Sequence, residues 1–523
     1  MYLGTYAKTQ PDKIAVVRAA TGEAITYREL DARSNRLAHL LRARGLQTGD
    51  HVALFMENNL VYFDVVCACM RSGLYITTIN RYLTASEAAY IVDNCDAKAL
   101  VVSSALDAAT ELGRLDVRCA VRLAAGDEVE GFESYEAAVA GQPDGPIADE
   151  AAGAFMLYSS GTTGRPKGIL RPRPDRLPTQ RDASMGLLTD TYGMDENTVY
   201  LSPAPMYHSA PVSYCTAVLQ VGGTVVMMDR FDAAQALTLI ERYQVTHSQW
   251  VPTMFVRFLK LDEATRSAHD LSSHRCAIHA AAPCPLEVKH RMIEWWGPIL
   301  EEYYASTEGA GVTRISSHEW LAHPGSVGRS GAGAKPLHIC DEQGRELAAG
   351  EVGLIYGEPG SVQPFVYYKD EAKTLSQRHP VHPQWTTVGD VGYLDEDGYL
   401  FLSDRKAFMI ISGGVNIYPQ QIEDVLALHP KLADVAVIGV PNADLGEEVK
   451  AVVELAVGVE PSDALAQEIM DFVRGRLGRQ LTPRSVDFVE ALPRLPTGKL
   501  YKKALKDRYW GETGAALPLA ARS

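Results

Sequence analysis

The sequence predicts an α/β protein, with a large N-terminal part built from several α/β subdomains and a small C-terminal α+β part. Three observations carry this expectation. Short β-branched runs alternate with amphipathic helical stretches over roughly the first 400 residues. After Asp404-Arg405-Lys406 the character changes, and strand and helix signals follow closely in a compact set of about 115 residues. The chain is also long and 46% hydrophobic over 523 residues, enough to bury large cores. The expected domains are therefore 1–404 and 405–523.

The elements follow from local signals. Thr26 and Glu29 have capping-box spacing, Leu30, Leu37 and Leu41 share one helical face, and Gly45 ends that helix. A strand follows at Val52-Ala53-Leu54-Phe55, and later strands are expected at Gly223–Met228 and Val352–Tyr356. Residues 389–400 read as two strands joined by Asp397-Gly398. In the last part, Pro419 opens a helix with Ile422, Val425 and Leu426 on one face, and Pro430 stops it. Strands at Val435–Val440, Val449–Leu455 and Val486–Val489 and a helix over Leu465–Leu477 complete the set.

A formal net charge of −15 argues against nucleic-acid backbones and anionic membranes as main partners. The eight cysteines form no C-x-x-C pair, which speaks against a zinc framework or a disulfide scaffold. No apolar run is long enough to span a bilayer and no signal peptide is visible, so a cytoplasmic protein is expected.

Five motifs carry chemistry. Tyr158-Ser159-Ser160-Gly161-Thr162-Thr163-Gly164-Arg165-Pro166-Lys167-Gly168 follows an apolar run. Its glycines let the backbone curl and expose N–H groups, and its hydroxyls and ammonium add donors for phosphate oxygens. It is not a Walker A loop, because Pro166 stands where the second glycine belongs and Gly168 follows the lysine. Tyr303-Tyr304-Ala305-Ser306-Thr307-Glu308-Gly309 offers rings that can stack on a purine and a carboxylate that can hold Mg²⁺ between phosphates. Thr386-Thr387-Val388-Gly389-Asp390 places a carboxylate at a tight turn, where it suits a ribose diol; in isolation, a solvated turn aspartate is the default reading. Leu495-Pro496-Thr497-Gly498-Lys499 is a rigid turn that projects one lysine. Ser412-Gly413-Gly414-Val415-Asn416-Ile417-Tyr418-Pro419 leads into a helix N-terminus, either as a phosphate or thiol-tunnel wall or as a simple lead-in. Arg171–Pro178 is a basic, proline-punctuated loop that also reads as a solvated connector.

The order and identity of these blocks resemble the adenylate-forming superfamily, and within it the acyl-CoA synthetase or fatty-acid–CoA ligase family, from about Pro11 to Lys503. Trp250-Val251-Pro252-Thr253-Met254 and His323-Pro324-Gly325-Ser326-Val327-Gly328-Arg329 look most like actinobacterial fatty-acid or steroid-type ligases. The resemblance implies that a carboxylate attacks the α-phosphorus of ATP to give acyl-AMP and pyrophosphate. The small domain then rotates, and the thiol of coenzyme A takes the acyl group. It implies phosphate contacts from Ser159, Ser160, Gly161, Thr162, Thr163 and Lys167. Tyr304 would stack on adenine beside Ala281, Thr307 would touch the α-phosphate, and Glu308 would ligate Mg²⁺. Asp390 and Arg405 would hold the ribose, Lys499 would bridge the carboxylate and the α-phosphate, and His208 would gate the acyl carboxylate. Gly413 and Gly414 would line the CoA side. The acyl pocket would lie near Tyr207–Tyr214, Trp250–Phe255 and His279–Pro283, suiting a hydrophobic, aromatic or polycyclic acid. A homodimer is compatible with the resemblance.

Three departures stand out. Alanine at 280 replaces the usual first glycine of a Gly-Ala-Ala-Pro loop, Ala407 stands where relatives carry a charged hinge residue, and Arg479-Gln480-Leu481-Thr482-Pro483 lacks a usual Tyr-Lys. The alternatives are an enzyme specialised for one half-reaction, one that loads a carrier protein, or a silent nucleotide-binding homologue. Together Lys167, Glu308, Asp390 and Lys499 speak against the last, and the absence of a visible carrier domain favours free CoA.

Overall fold

In the computed structural model the described residues are 2–159, 166–181, 183–331, 335–358, 364–405, 408–413, 415–427, 429–494 and 500–510. The chain divides into two compact units, Met1–Gln249 with Ala264–Ala277 and Ser361–Ser376, and Trp250–Glu263 with Ile278–Gly360 and Gln377–Ser523. The mixed α/β class expected from the sequence is what forms. The 404/405 boundary lies inside the second unit.

The first unit holds parallel sheets. One runs, in spatial order, Glu133–Ser134, Val121–Ala125, Ala97–Ser103, His51–Phe55, Tyr75–Thr78, Ala154–Phe155, every neighbour parallel. Such strands are covered on both faces and read as continuous apolar runs, and Val52 to Phe55 are fully buried. Another sheet places His247–Trp250, Val199–Ser202, Thr224–Met227 and Ile14–Arg18 side by side in parallel, with Ala24–Thr26 antiparallel to the last. The helix Tyr27–Ala43 begins with the expected capping box between Thr26 and Glu29, buries Leu30, Leu37 and Leu41, and is followed by Gly45 at φ +86°. A three-stranded antiparallel sheet joins Leu157–Ser159, Lys167–Leu170 and Val366–Tyr367.

Helix Leu60–Arg71 buries one carboxylate, Asp64, completely. Its Oδ2 accepts from Arg33 Nε at 2.9 Å and from the Tyr135 hydroxyl at 3.2 Å. Burial nevertheless outweighs the pull of Arg33 and pushes the carboxyl up to about 6. A carboxyl raised above its unfolded value contributes stability that is complete below the unfolded pKa and is lost as pH rises through the folded one. Asp64→Asn removes that term. The stability of Asp64→Asn relative to the parent should therefore improve by up to about 3 kcal/mol between pH 4 and pH 7. Urea denaturation at both pH values measures this, and a pH-independent difference would contradict it.

In the second unit an antiparallel sheet runs Leu337–Cys340, Gly353–Gly357, Asp390–Leu394, Leu400–Arg405. The last two strands form the expected hairpin, with Gly398 at φ +77° in its turn. Strand Leu300–Ala305 pairs antiparallel with Val312–Ser316. Leu300, Glu302 and Tyr304 are its buried face. Opposite Glu302, helix Leu286–Trp296 buries Lys289, whose Nζ lies 2.5 Å from Glu302 Oε2 and 4.8 Å from the Trp320 ring centre. His279, fully buried, sits 3.7 Å from the same oxygen and edge-on to Phe255.

Residues after Arg405 build a five-stranded sheet of Val415–Ile417, Ile410–Ser412, Gly446–Leu455 and Leu432–Asn442, with Ser485–Val489 parallel to Gly446–Leu455. Helices Pro419–Leu426 and Asp463–Leu477 pack Ile422, Leu426, Ile469 and Val473 on one face. Helix Lys502–Tyr509 packs Leu505 on the other. The expected strands and helices of this part are all present. All eight cysteines are free thiols, six of them buried, and burial pushes Cys215 up to about 12. Among the described residues no helix is long and apolar enough to cross a membrane.

Candidate active site

The phosphate-loop motif is bounded by a hairpin pair. Ser159 ends one strand, Lys167 begins the next, and the two are register partners. Ser160, Gly161, Thr162 and Thr163 lie outside the described residues. Lys167 Nζ is 3.3 Å from Asp370 Oδ2 and 5.6 Å from the Tyr367 ring centre. Asp370 caps a short helix at Glu371–Leu375. The Lys373 backbone N–H and the Lys167 ammonium hold its carboxyl below the usual range. This carboxylate escaped the sequence reading; its signal is an aspartate directly before a helical Glu-Ala-Lys run. Two arginines of the basic loop reach backbone carbonyls. Arg173 donates to the Ala152 carbonyl at 2.8 Å, and Arg176 to that of Gln180 at 2.8 Å.

His208 is the N-cap position of helix Ser209–Gln220 but makes no side-chain cap bond, and its ring lies 4.1 Å from that of Tyr207. It is half-buried.

In the second unit three separated motifs meet. Tyr304 donates its hydroxyl to Asp390 Oδ2 at 2.8 Å, and Asp390 is the cross-strand partner of Arg405. The Tyr304 ring is 9% exposed and packs with Val327, Leu337, Ile339, Ile355 and Leu400, so only a small face remains open to a purine. Thr307 and Glu308, both half-buried, occupy the turn immediately after the strand, closed by Gly309 N donating to Ser306 O at 2.9 Å. Thr387 Oγ1 accepts from Gly389 N at 3.0 Å and tightens the turn into Asp390. Ala281 carries a left-handed backbone, φ +77°. That conformation costs a residue with a Cβ roughly 1–2 kcal/mol. The strained position is thus the second alanine of the loop and not Ala280, where the sequence lacks its usual glycine.

Ser412 and Val415 are register partners in a hairpin, and Gly413, just after Ser412, has φ +57°. The hairpin precedes the Pro419 helix and was not anticipated as strands. Gly414, Ala407 and Lys499 lie outside the described residues. Leu481 packs against the sheet core, and Thr482 bonds back to Gly478 O at 2.8 Å.

In the second unit, a buried aromatic ring bonded to a carboxylate and followed by a threonine–glutamate turn suits a nucleotide; in the first unit, a lysine opening a hairpin strand suits phosphate. The AMP-binding enzyme family matches residues 3–360, and the AMP-binding enzyme C-terminal domain matches residues 421–499. The chain belongs to this family, the adenylate-forming superfamily that includes the acyl-CoA synthetases. Feruloyl-CoA synthase of an Amycolatopsis species is 32% identical, over 96% of this chain and 97% of its own. The fatty acid–[acyl-carrier-protein] ligase ScoC of Streptomyces coeruleorubidus is 29% identical, over 97% and 96%. The solved structure of o-succinylbenzoate CoA synthetase MenE from Bacillus subtilis, in complex with the acyl-adenylate intermediate OSB-AMP, is 25% identical with a TM-score of 0.80 over 97% of each chain.

Proposed function

We propose that the protein is a carboxylate–CoA ligase that activates a hydrophobic, aromatic or polycyclic acid with ATP as its acyl-adenylate and then forms the CoA thioester. The observation that carries this reading is the bond from Tyr304 to Asp390, itself the cross-strand partner of Arg405, with Thr307 and Glu308 on the turn that follows the Tyr304 strand. Tyr304 and Ala281 flank the adenine, Asp390 and Arg405 hold the ribose, and Thr307 contacts the α-phosphate. Ser159, Ser160, Gly161, Thr162, Thr163 and Lys167 carry the β- and γ-phosphates, and Lys167 exchanges Asp370 for them. Lys499 brings the substrate carboxylate to the α-phosphorus, and His208 borders that carboxylate. Residues after Arg405 alternate between two poses, the second presenting Gly413 and Gly414 to CoA.

The first step needs no base, because its nucleophile is already an anion. The task is to let two anions approach, which aligned cations and donors accomplish. Glu308 suits Mg²⁺ as a single half-buried carboxylate, since that ion takes one or two carboxylates with substrate phosphates and waters. When bound, the ion would neutralise phosphate charge.

A pyrophosphate-release screen over aliphatic, aromatic and polycyclic acids, with and without CoA, tests this reading. Release without CoA for at least one acid, and thioester when CoA is added, is expected. ATP binding with no release for any acid would favour a silent homologue. Transfer only to a phosphopantetheinyl carrier would move the acceptor from CoA to a carrier protein, as the ScoC likeness also allows.

Tyr304→Phe keeps the ring and removes the hydroxyl that meets Asp390. Losing one such bond should raise KM for ATP about 3- to 10-fold with kcat nearly unchanged. Steady-state kinetics decide; an equal fall in kcat would place the hydroxyl in the transition state instead.

A further inference from the structure

Asn58 lies between strand His51–Phe55 and helix Leu60–Arg71 and is 3% exposed. Its side chain reaches the loop that leads to His208. Nδ2 donates to the carbonyls of Ala204 at 3.1 Å and Met228 at 2.8 Å, and Oδ1 accepts from Met206 N at 2.8 Å. One amide thus ties the strand end at Met228 to both sides of Pro205. Thr78, 4% exposed at the end of its own strand, adds a bond from Oγ1 to Tyr207 O at 2.8 Å. Backbone groups of Ala204, Met206 and Tyr207 are therefore held by side chains from another sheet.

His208 follows directly. Its N–H turns back to Pro205 O at 3.3 Å, and its imidazole does not cap the helix that begins after it. The ring is carried on the path of residues 204–207, whose backbone groups Asn58 and Thr78 hold. In the sequence, Glu57-Asn58-Asn59 reads as a polar turn, and Asn59 takes the ordinary turn role by capping the next helix through Tyr62 N at 3.1 Å. Asn58 faces the opposite way, into the loop.

We propose that Asn58, supported by Thr78, is a positioning residue for acyl activation, fixing the 204–207 backbone so that His208 meets the acyl carboxylate. This rests on the ligase reading given above. Displacing a catalytic neighbour by about 1 Å can cost about 10²-fold. Asn58→Ala should lower kcat/KM for the acid about 10- to 100-fold, with KM for ATP within about twofold. Thr78→Val, which keeps the side-chain shape, should lower it about 3- to 10-fold.

The decisive measurement is the cycle of Asn58→Ala, His208→Ala and the double variant, scored by pyrophosphate release. The first-turnover burst gives the fraction of active sites. If Asn58 acts through His208, adding Asn58→Ala to His208→Ala costs less than about threefold more. Costs that multiply, a KM for ATP that rises in proportion, or a loss fully explained by fewer active sites would overturn the proposal. Should Asn58→Ala not fold, Thr78→Val decides, and an unchanged kcat/KM for the acid overturns it. A parent protein that releases pyrophosphate with no acid at all would instead defeat the ligase reading, which the parent arm shows by itself.

Discussion

Lys499→Ala should reduce acyl-adenylate formation about 10²- to 10³-fold while leaving thioester formation from supplied acyl-adenylate within about threefold of the parent. The asymmetry follows from charge. In the first half-reaction a carboxylate approaches a phosphoryl group that already bears negative charge, and a cation between them stabilises the crowded transition state more than either ground state. In the second, a thiol attacks the carbonyl of a mixed anhydride whose leaving group is AMP, and the carboxylate charge is gone. A lysine on a Pro-Thr-Gly turn suits the first task alone. Pyrophosphate release and thioester formation, measured separately on one preparation, test the claim. Equal loss of both would show that Lys499 serves the whole cycle or the fold.

Breaking the buried pair of Lys289 and Glu302 should cost about 3–5 kcal/mol of stability, the largest expected effect outside the chemistry. Both side chains are almost inaccessible, at 0% and 3%. Removing one partner strands the other in a buried site, where Trp320 faces Lys289 and His279 stands beside Glu302. The orphan escapes by neutralising, and this fixes the pH dependence. Burial already pushes the Glu302 carboxyl up against the pull of Lys289. In Lys289→Met that pull is gone and the folded-state value rises further. A raised carboxyl loses its stabilising contribution as pH increases, so the deficit of Lys289→Met should widen from pH 5 to pH 8. Lys289→Met combined with Glu302→Leu should recover much of the loss, because the pair is then replaced by apolar groups. Denaturant titrations at both pH values provide the check, and additive costs in the double variant would contradict it. Glu302 and Tyr304 share the buried face of one strand, so adenylate formation should also weaken in the single variants.

The elements of this fold were legible where one local rule sufficed. The Thr26–Glu29 box, the Asp397-Gly398 turn and the Pro419 helix each formed as expected, because capping and turn chemistry act over a few residues. The five motifs were equally visible, since a phosphate loop and a projecting lysine are contiguous strings. Partnerships across the sequence were hidden. Nothing near Lys167 announces Asp370, and nothing near His208 announces Asn58, because those distances close only when sheets assemble. The partner of the Tyr304 hydroxyl is hidden in the sequence for a related reason. The ring's apolar face suggested stacking, while its polar end found Asp390 on a strand far along the chain. The left-handed Ala281 gave no sign at all, since alanine is among the residues least expected at positive φ.

The rung that joins Asp390 to Arg405 is the last one before residue 406. If the chain swivels beyond that point, its stationary end is the same pair of strands that carries the proposed ribose contacts. A nucleotide clasped there would ride on the mounting and not on the moving arm. AMP could then stay seated while the C-terminal part changes places, so the intermediate need not be released and recaptured between the two half-reactions.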